Sequence, residues 1–152
     1  MASSPPYAGR RALITGASAG LGAEFARQLA RAGAELVLVA RRPEALEAIA
    51  APLRASGSVV HCLTADLSLR DEVSALVERV QALGPVDLLV NNAGAGGPAL
   101  LGPAPLSEQL RYLELMMLSV TQLCHAFAPA MAARGWGRIL NVASVAGRIG
   151  RA

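Results

Sequence analysis

The sequence predicts a doubly wound α/β fold built on a parallel β-sheet. Strand-like runs alternate with helix-like runs, the connections are short, and several strand-like runs are continuously apolar. Continuous apolar runs are typical of strands that helices cover on both faces. Alternation with short connections favours parallel strands joined by right-handed crossovers. The 152 residues suit one domain, which we expect at residues 11–152 behind a flexible leader at residues 1–10.

The first strand and the first helix follow from residue type and spacing. Arg11–Thr15 is a short apolar run, which predicts a strand. An apolar face at helical spacing comes next, and Gly33 ends that helix, as glycine often does after a last turn. The apolar face consists of Leu21, Phe25 and Leu29.

The middle of the chain repeats this pattern. Leu36–Val39 and Val59–Leu63 predict the second and third strands. Between them, Pro43 opens a helix whose end we expect to be kinked or frayed at Pro52. A third helix follows, and Ser68 is its predicted N-cap because the next residues have the spacing of a capping box.

The last third of the chain adds two strands and a long helical region. Leu88–Val90 and Arg138–Val142 are apolar runs that predict the fourth and fifth strands. Ser107 is the predicted N-cap of a helical region that reaches Arg134 and bends near Pro129. Charged residues and proline interrupt its most apolar part, which predicts a buried helix rather than a membrane span.

Composition excludes several classes of function. All 14 basic residues are arginines, so a Walker-type phosphate loop and a Schiff-base lysine are excluded within this chain. The net charge of +3 is scattered and aromatic residues make up 3 %, which disfavours a nucleic-acid partner. Cys62 and Cys124 lack metal-ligand spacing and are expected in the core, in a reducing compartment. We therefore expect a cytoplasmic protein with no metal site and no membrane partner.

A glycine-rich loop separates the first strand from the first helix. Gly16, Gly20 and Gly22 have the spacing G-x-x-x-G-x-G. Gly16 would permit a sharp turn, Gly20 would let backbone approach a pyrophosphate, and Gly22 would let helix and strand pack closely. The helix N-terminus then directs N–H groups at the anion, and Ser18 can add a hydroxyl hydrogen bond. The loop predicts a Rossmann-type dinucleotide site; the alternative is a glycine-rich turn without a ligand.

Two arginines follow the second strand, where a ribose-reading residue is expected. An NAD site carries an acidic residue there, about twenty residues beyond the loop, to hold the ribose hydroxyls. This chain has Ala40, followed by Arg41 and Arg42. Guanidinium groups can bind a 2′-phosphate through paired hydrogen bonds, so the sequence favours NADP over NAD. The alternative is that both arginines only begin a solvated helix.

Four ordered motifs give the chain a family resemblance from Arg11 onward. They are the glycine loop, Asp66, Asn91–Gly94 and Gly137–Ser144. In this order and spacing they resemble the classical short-chain dehydrogenase/reductase family. The resemblance implies an NADP(H)-dependent oxidoreductase that reduces a carbonyl or oxidises an alcohol of a small molecule. It also implies a homo-oligomer, because the family often pairs through the long helix.

The resemblance implies roles for individual residues. Asp66 would hydrogen-bond the adenine amino group beside the backbone of Leu67, and Asn91 would tie neighbouring strands together. Ser144 would be the catalytic serine, whose hydroxyl stabilises charge on the substrate carbonyl oxygen. The expected cofactor-binding residues are Gly16, Ser18, Ala19, Gly20, Leu21, Gly22, Arg41, Asp66, Leu67, Asn92, Ala93 and Gly94.

Met116 departs from the family pattern. Alignment with the family's long fourth helix puts Met116 where a proton-relay asparagine stands, and its thioether is only a weak acceptor. Taken alone, Met116 is most simply a core filler. Ser119 is a poor substitute because it lies on a different helical face.

The family's acid/base pair is a second departure. The Tyr-x-x-x-Lys motif of the family lies beyond the serine, and Val145–Ala152 contains neither residue type. We therefore expect the chain to be the cofactor-binding part of a longer enzyme, inactive alone. The alternative is a non-catalytic dinucleotide-binding module; a methyltransferase fits the fold but not the four motifs. Ala95–Leu106 is expected to form either an apolar wall of the substrate pocket or a flexible loop.

Overall fold

The strands form one parallel sheet in the order β3-β2-β1-β4-β5. The computed structural model describes residues 5–96 and 104–144. Every strand boundary lies within one residue of the predicted run, which confirms the doubly wound α/β fold. The strands are β1 Arg11–Thr15, β2 Glu35–Ala40, β3 Val60–Thr64, β4 Leu88–Asn91 and β5 Arg138–Asn141.

The strand order reverses at the centre of the sheet. β1 pairs with β2 on one side, where Ile14 lies opposite Leu38, and with β4 on the other, where Ile14 lies opposite Val90. From β1 the chain adds β2 and β3 on one side of the sheet, and then returns to add β4 and β5 on the other side. Such a reversal leaves a crevice at the carboxyl ends of the central strands.

Helices cover both faces of the sheet. Because side chains alternate along β1, Ile14 packs under α1 and α2, whereas Leu13 packs under α3 and α5. A π-helical turn joins α4 to α5 without a break in the chain direction. The helices are α1 Gly20–Arg31, α2 Pro43–Ala55, α3 Arg70–Leu83, α4 Leu106–Leu113 and α5 Ser119–Ala133, and the π turn is Glu114–Leu118.

The predicted N-caps of α3 and α4 are wrong. The N-cap of α3 is Leu69, because the Ser68 hydroxyl donates instead to Asp66 Oδ1 at 2.7 Å. α4 begins at Leu106, before Ser107, and its N-cap is Pro105. Ser107 therefore lies inside the first turn of α4, where it is not the N-cap.

The end of α2 is not frayed at Pro52. The helix continues to Ala55, and the amide of Ser56 still donates to Pro52 O at 3.1 Å. Pro52 lies in the last turn, so the missing N–H removes one hydrogen bond without preventing the next ones.

Residues 5–10, expected to form a flexible leader, pack against the domain. The Tyr7 amide donates to Ala32 O at 2.9 Å, and the Tyr7 side chain packs against the core. Arg10 stacks on Trp136, 4.1 Å from the ring centroid, and pairs with Asp87 at 3.3 Å. Aromatic burial and these charge contacts hold a segment that composition alone marks as loose.

The long helical region is buried on one face only. Among the described residues, Leu106–Ala133 is the stretch long and apolar enough to span a membrane by length and composition, with 22 % of its most apolar window buried. Its inner face packs on the sheet, through Leu123 and Phe127 among others, as a core helix of an α/β domain does. Its outer face exposes Leu106 and Met117, so the prediction of a buried helix holds for one face.

Both cysteines are half-buried rather than fully buried. Burial raises the pKa of the Cys62 thiol, which keeps it protonated. The Asn91 amide lies 3.4 Å from the sulfur of Cys124. The expected core position of each cysteine is therefore correct only in part.

Candidate functional site

A cavity of about 880 Å³ opens at the carboxyl ends of the strands, where the strand order reverses. Its described lining includes the glycine loop after β1, the arginines after β2, Asp66 after β3 and residues 91–96 around the end of β4. Ser144 and the π turn close the far end. Motifs that are distant in sequence thus meet at one edge of the sheet.

The glycine loop has the geometry that its spacing predicts. Gly16 has a φ of +65°, and a Cβ there would lie 2.8 Å from Ala93 Cα, so only glycine fits the turn. Gly20 has a φ of +54° and faces open space. Gly22 is buried under Gly16 O and Asn92, which lets α1 lie close to β1.

The N-terminus of α1 faces the cavity. The N-cap is Ala19, which has no side chain to cap the first-turn N–H groups. Ser18, Ala19 and Leu21 all line the cavity beside these groups. A helix N-terminus in this state binds anions through its N–H groups and its partial positive charge.

Thr15 and Asn92 clamp the loop to the end of β4. Thr15 Oγ1 accepts hydrogen bonds from the amides of Asn92 and Ala93, both at 3.0 Å. Asn92 Nδ2 donates to Thr15 O at 3.0 Å and to Gly16 O at 3.2 Å. Asn92 lines the cavity, but its side-chain amide donates both of these hydrogen bonds to the backbone at the start of the loop. Thr15 was not predicted as a site residue, because its only signal in the sequence is a hydroxyl at the end of a predicted strand.

Arg41 and Arg42 bring positive charge to the β2 side of the cavity. Both are exposed, and both line the cavity at the start of α2. Neither forms a side-chain hydrogen bond or ion pair within the described part of the chain, whereas Arg11 is paired with Glu35 at 2.9 Å. Their charge is therefore available to a ligand anion.

Asp66 forms a tight turn after β3. Its Oδ1 accepts hydrogen bonds from the amide of Ser68 at 3.0 Å and from the Ser68 hydroxyl at 2.7 Å. Burial alone would raise the pKa of Asp66, but the two Ser68 hydrogen bonds, with the charges of Arg41 and Arg111, hold it below its usual value. Within residues 5–96 and 104–144, Oδ2 accepts no hydrogen bond and can meet a ligand donor.

The lowered pKa of Asp66 predicts a loss of stability in acid. The ionised carboxylate is favoured in the folded state, so its contribution is complete above the ordinary aspartate pKa and is lost as pH falls through the lowered one. Urea midpoints measured from pH 7 to pH 3 should fall less steeply for Asp66→Asn than for the parent chain. The control is Glu78→Gln on an exposed position of α3. Equal slopes for Asp66→Asn and the parent would contradict the prediction.

Ser144 lies at the opposite end of the cavity from Arg41. It is exposed there, and Gly94 and Met116 line the same end. Met116, which lies on the π turn, thus lines the cavity and is not the core filler that its residue type suggests. Ser119 is buried, does not line the described cavity, and donates its hydroxyl to Leu115 O at 2.7 Å.

Asn91 ties neighbouring strands together, as expected. Its Nδ2 donates to Asn141 Oδ1 at 2.8 Å, which links the ends of β4 and β5. Of the segment Ala95–Leu106, residues 97–103 lie outside the described part of the chain, as do residues 145–152. In the described ranges no group of three His, Cys, Asp or Glu side chains could hold a metal ion.

The family model for short chain dehydrogenase matches residues 10–152. The chain belongs to the short-chain dehydrogenase family. The match includes each of the four motifs and nearly the whole chain. The site residues described above therefore sit in a family fold whose members are oxidoreductases.

Several members of the family are similar in sequence and structure. A ketoacyl reductase, HetN, from Nostoc sp. is 36 % identical over 93 % of this chain and 50 % of its own length. A metagenomic short-chain oxidoreductase solved in complex with NADP superposes with a TM-score of 0.91, at 38 % identity, over 97 % of this chain and 66 % of that one. A short-chain dehydrogenase from Sphingobium yanoikuyae in complex with NADPH superposes with a TM-score of 0.86. It is 37 % identical, and the match covers 91 % of this chain and 55 % of that one.

The chain spans about half the length of several curated relatives that it matches, and 11 % of a longer one, the glycine betaine reductase of Emericella nidulans. It covers 50 % of the Nostoc reductase, 42 % of an oxidoreductase from Mycobacterium bovis and 54 % of the 7alpha-hydroxysteroid dehydrogenase of Escherichia coli. What is shared with the solved structures is the fold of nearly the whole chain.

Proposed function

We propose that this chain is the cofactor-binding part of an NADP(H)-dependent oxidoreductase that interconverts a small-molecule carbonyl and an alcohol. The observation that carries the proposal is the cavity at the strand-order reversal, with an uncapped helix N-terminus at its centre and, at its β2 end, two arginines that form no side-chain hydrogen bond or ion pair with the described residues. NADPH, when bound, supplies the hydride for such a reaction. We propose a cytoplasmic location and a homo-oligomer on the family resemblance alone.

The residues of the cavity fit a dinucleotide phosphate in shape and charge. Gly20 leaves open space above the N-terminus of α1, where a pyrophosphate can approach backbone N–H groups. Arg41 and Arg42 can hold a 2′-phosphate, and Asp66 Oδ2 can accept from the adenine amino group. The Ser144 hydroxyl would hydrogen-bond the substrate carbonyl at the other end of the cavity.

A binding titration tests the proposal. The purified chain is titrated with NADPH and with NADH, and cofactor fluorescence is followed at constant ionic strength. We expect one saturable site that binds NADPH more tightly than NADH, because only NADPH carries the 2′-phosphate. Adenosine 2′,5′-bisphosphate should displace NADPH from the site. A folded chain, verified by circular dichroism, that binds neither cofactor would contradict the proposal.

A second candidate is a non-catalytic dinucleotide-binding module. Two observations favour it: the apolar Met116 in the cavity wall, and the position of the tyrosines. Tyr7 packs near the amino end of the sheet and Tyr112 lies on α4, so neither lines the described cavity. The sequence also holds no lysine that could lower a tyrosine pKa.

Intact mass of the protein isolated from its source distinguishes the two candidates. A mass larger than that of these 152 residues, with a peptide that contains Tyr-x-x-x-Lys, supports the oxidoreductase. A mass equal to that of the 152 residues, together with NADPH binding, supports the module instead.

A further inference from the structure

Two consecutive methionines on the π turn have different surroundings. Met116 is partly buried and lines the cavity, whereas Met117 is 61 % exposed on the outer surface. A Cβ built on Gly94 would lie 3.5 Å from both the sulfur and the methyl carbon of Met116. The thioether of Met116 therefore faces the backbone of Gly94, at the end of the cavity that Ser144 also lines.

The π turn is fixed from three directions. The amide of Ser119 donates to Glu114 O, the i to i+5 hydrogen bond that defines the turn. The Ser119 hydroxyl donates to Leu115 O, and Arg70 of α3 pairs with the Glu114 carboxylate at 2.6 Å. Single π turns are frequent at functional sites. Here the turn carries Leu115 and Met116, both of which line the cavity.

The helix side of this end of the cavity is apolar. Leu115, Met116 and Val120 form it, and of these only the Met116 sulfur can accept even a weak hydrogen bond. A neutral ring loses little by contact with such a surface, whereas a cationic ring loses solvation that the surface does not replace. A thioether also makes favourable contacts with the edge of an aromatic or heteroaromatic ring.

The sheet order determines which half of a dinucleotide reaches Met116. The arginines stand after β2, on one side of the glycine loop, and Gly94 stands after β4, on the other side. An adenosine 2′-phosphate held at Arg41 leaves the nicotinamide half to extend past the loop towards Gly94. We propose that Met116 contacts the nicotinamide end of the cofactor and favours the reduced, uncharged ring over the oxidised, cationic ring. This inference rests on the proposed function.

Methyl NMR on the parent chain tests the contact without any substitution. The sequence holds four methionines, so labelling with [ε-¹³C]methionine gives at most four methyl signals. The Met116 signal should shift with NADPH but not with adenosine 2′,5′-bisphosphate, and the Met117 signal should shift with neither. A chain that binds NADPH while the Met116 signal stays in place would overturn the inference and leave the proposed function standing. If the folded chain binds no NADPH, the proposed function is contradicted, and the inference about Met116, which rests on it, falls as well.

Substitutions test the preference between redox states. The measured quantity is the ratio of the Kd of NADP⁺ to the Kd of NADPH. We expect Met116→Gln to lower this ratio by about threefold or more, because an amide replaces part of the lost solvation of the cationic ring. Met117→Gln, on the exposed neighbour, should leave the ratio unchanged. An unchanged ratio in Met116→Gln, or an equal change in Met117→Gln, would overturn the proposed preference.

Discussion

Replacing Gly22 with alanine is expected to lower the free energy of unfolding by about 2 kcal/mol and to abolish tight NADPH binding. A Cβ at position 22 would overlap Gly16 O and would lie 2.5 Å from Asn92 Nδ2. Overlap in a packed interior costs about 1–3 kcal/mol or more, and the higher helix propensity of alanine returns only about 1 kcal/mol. The overlapped atoms cannot move freely, because the Asn92 amide is bonded to Gly16 O.

Urea unfolding and an NADPH titration measure the two effects of Gly22→Ala. The matched control for unfolding is Gly96→Ala, because no atom of the described residues lies within 4 Å of a Cβ built on Gly96, and its φ is not positive. We expect the control to unfold at the midpoint of the parent chain. If Gly22→Ala kept the parent stability, α1 would not depend on its close contact with the loop after β1.

Replacing Arg41 with glutamine is expected to weaken NADPH binding by about tenfold to a hundredfold and to leave NADH binding unchanged. Hydrogen bonds to charged groups contribute about 1.5–3 kcal/mol, and each 1.4 kcal/mol is a factor of about ten in Kd. Arg41 is exposed, so added salt should reduce the advantage of NADPH in the parent chain. In the Arg41→Gln variant, the same salt should have little effect on the ratio of the Kd of NADH to the Kd of NADPH.

Arg31→Gln is the control for Arg41→Gln. Arg31 is also exposed, ends α1 and lies outside the cavity, so its loss removes one positive charge of the chain without touching the site. We expect NADPH to bind this control as it binds the parent. Equal weakening in both variants would mean that net charge, and not a specific contact at Arg41, attracts the phosphate.

The strands were predictable because a strand that is buried on both faces consists almost entirely of apolar residues. Leu36–Val39 is apolar at every position, and the structure buries all of these residues. The turn at Gly16 was predictable for a similar reason, since a positive φ at a crowded position leaves glycine as the only residue that fits. At such positions a single physical requirement determines the residue type, so one sequence is sufficient to predict the local structure.

The features that the sequence did not predict depend on contacts between distant segments. The serine at position 68 has the residue type of an N-cap, but the carboxylate of Asp66 competes for its hydroxyl. Tyr7 and Arg10 look loose in sequence because their partners, Ala32, Asp87 and Trp136, come much later in the chain. Met116 has the residue type of a core side chain, but in the structure it lies on the π turn and lines the cavity.

Hydrogen–deuterium exchange with and without saturating NADPH tests most directly whether the cavity at the carboxyl edge is the cofactor site. We expect NADPH to slow exchange in residues 18–21, in Asp66 and Leu67, and in Ala93 and Gly94, because these backbone segments line the cavity. The amides of α3 on its outer surface should exchange at the same rate in both states. Protection confined to other segments, in a chain saturated with NADPH, would place the cofactor elsewhere and contradict the account.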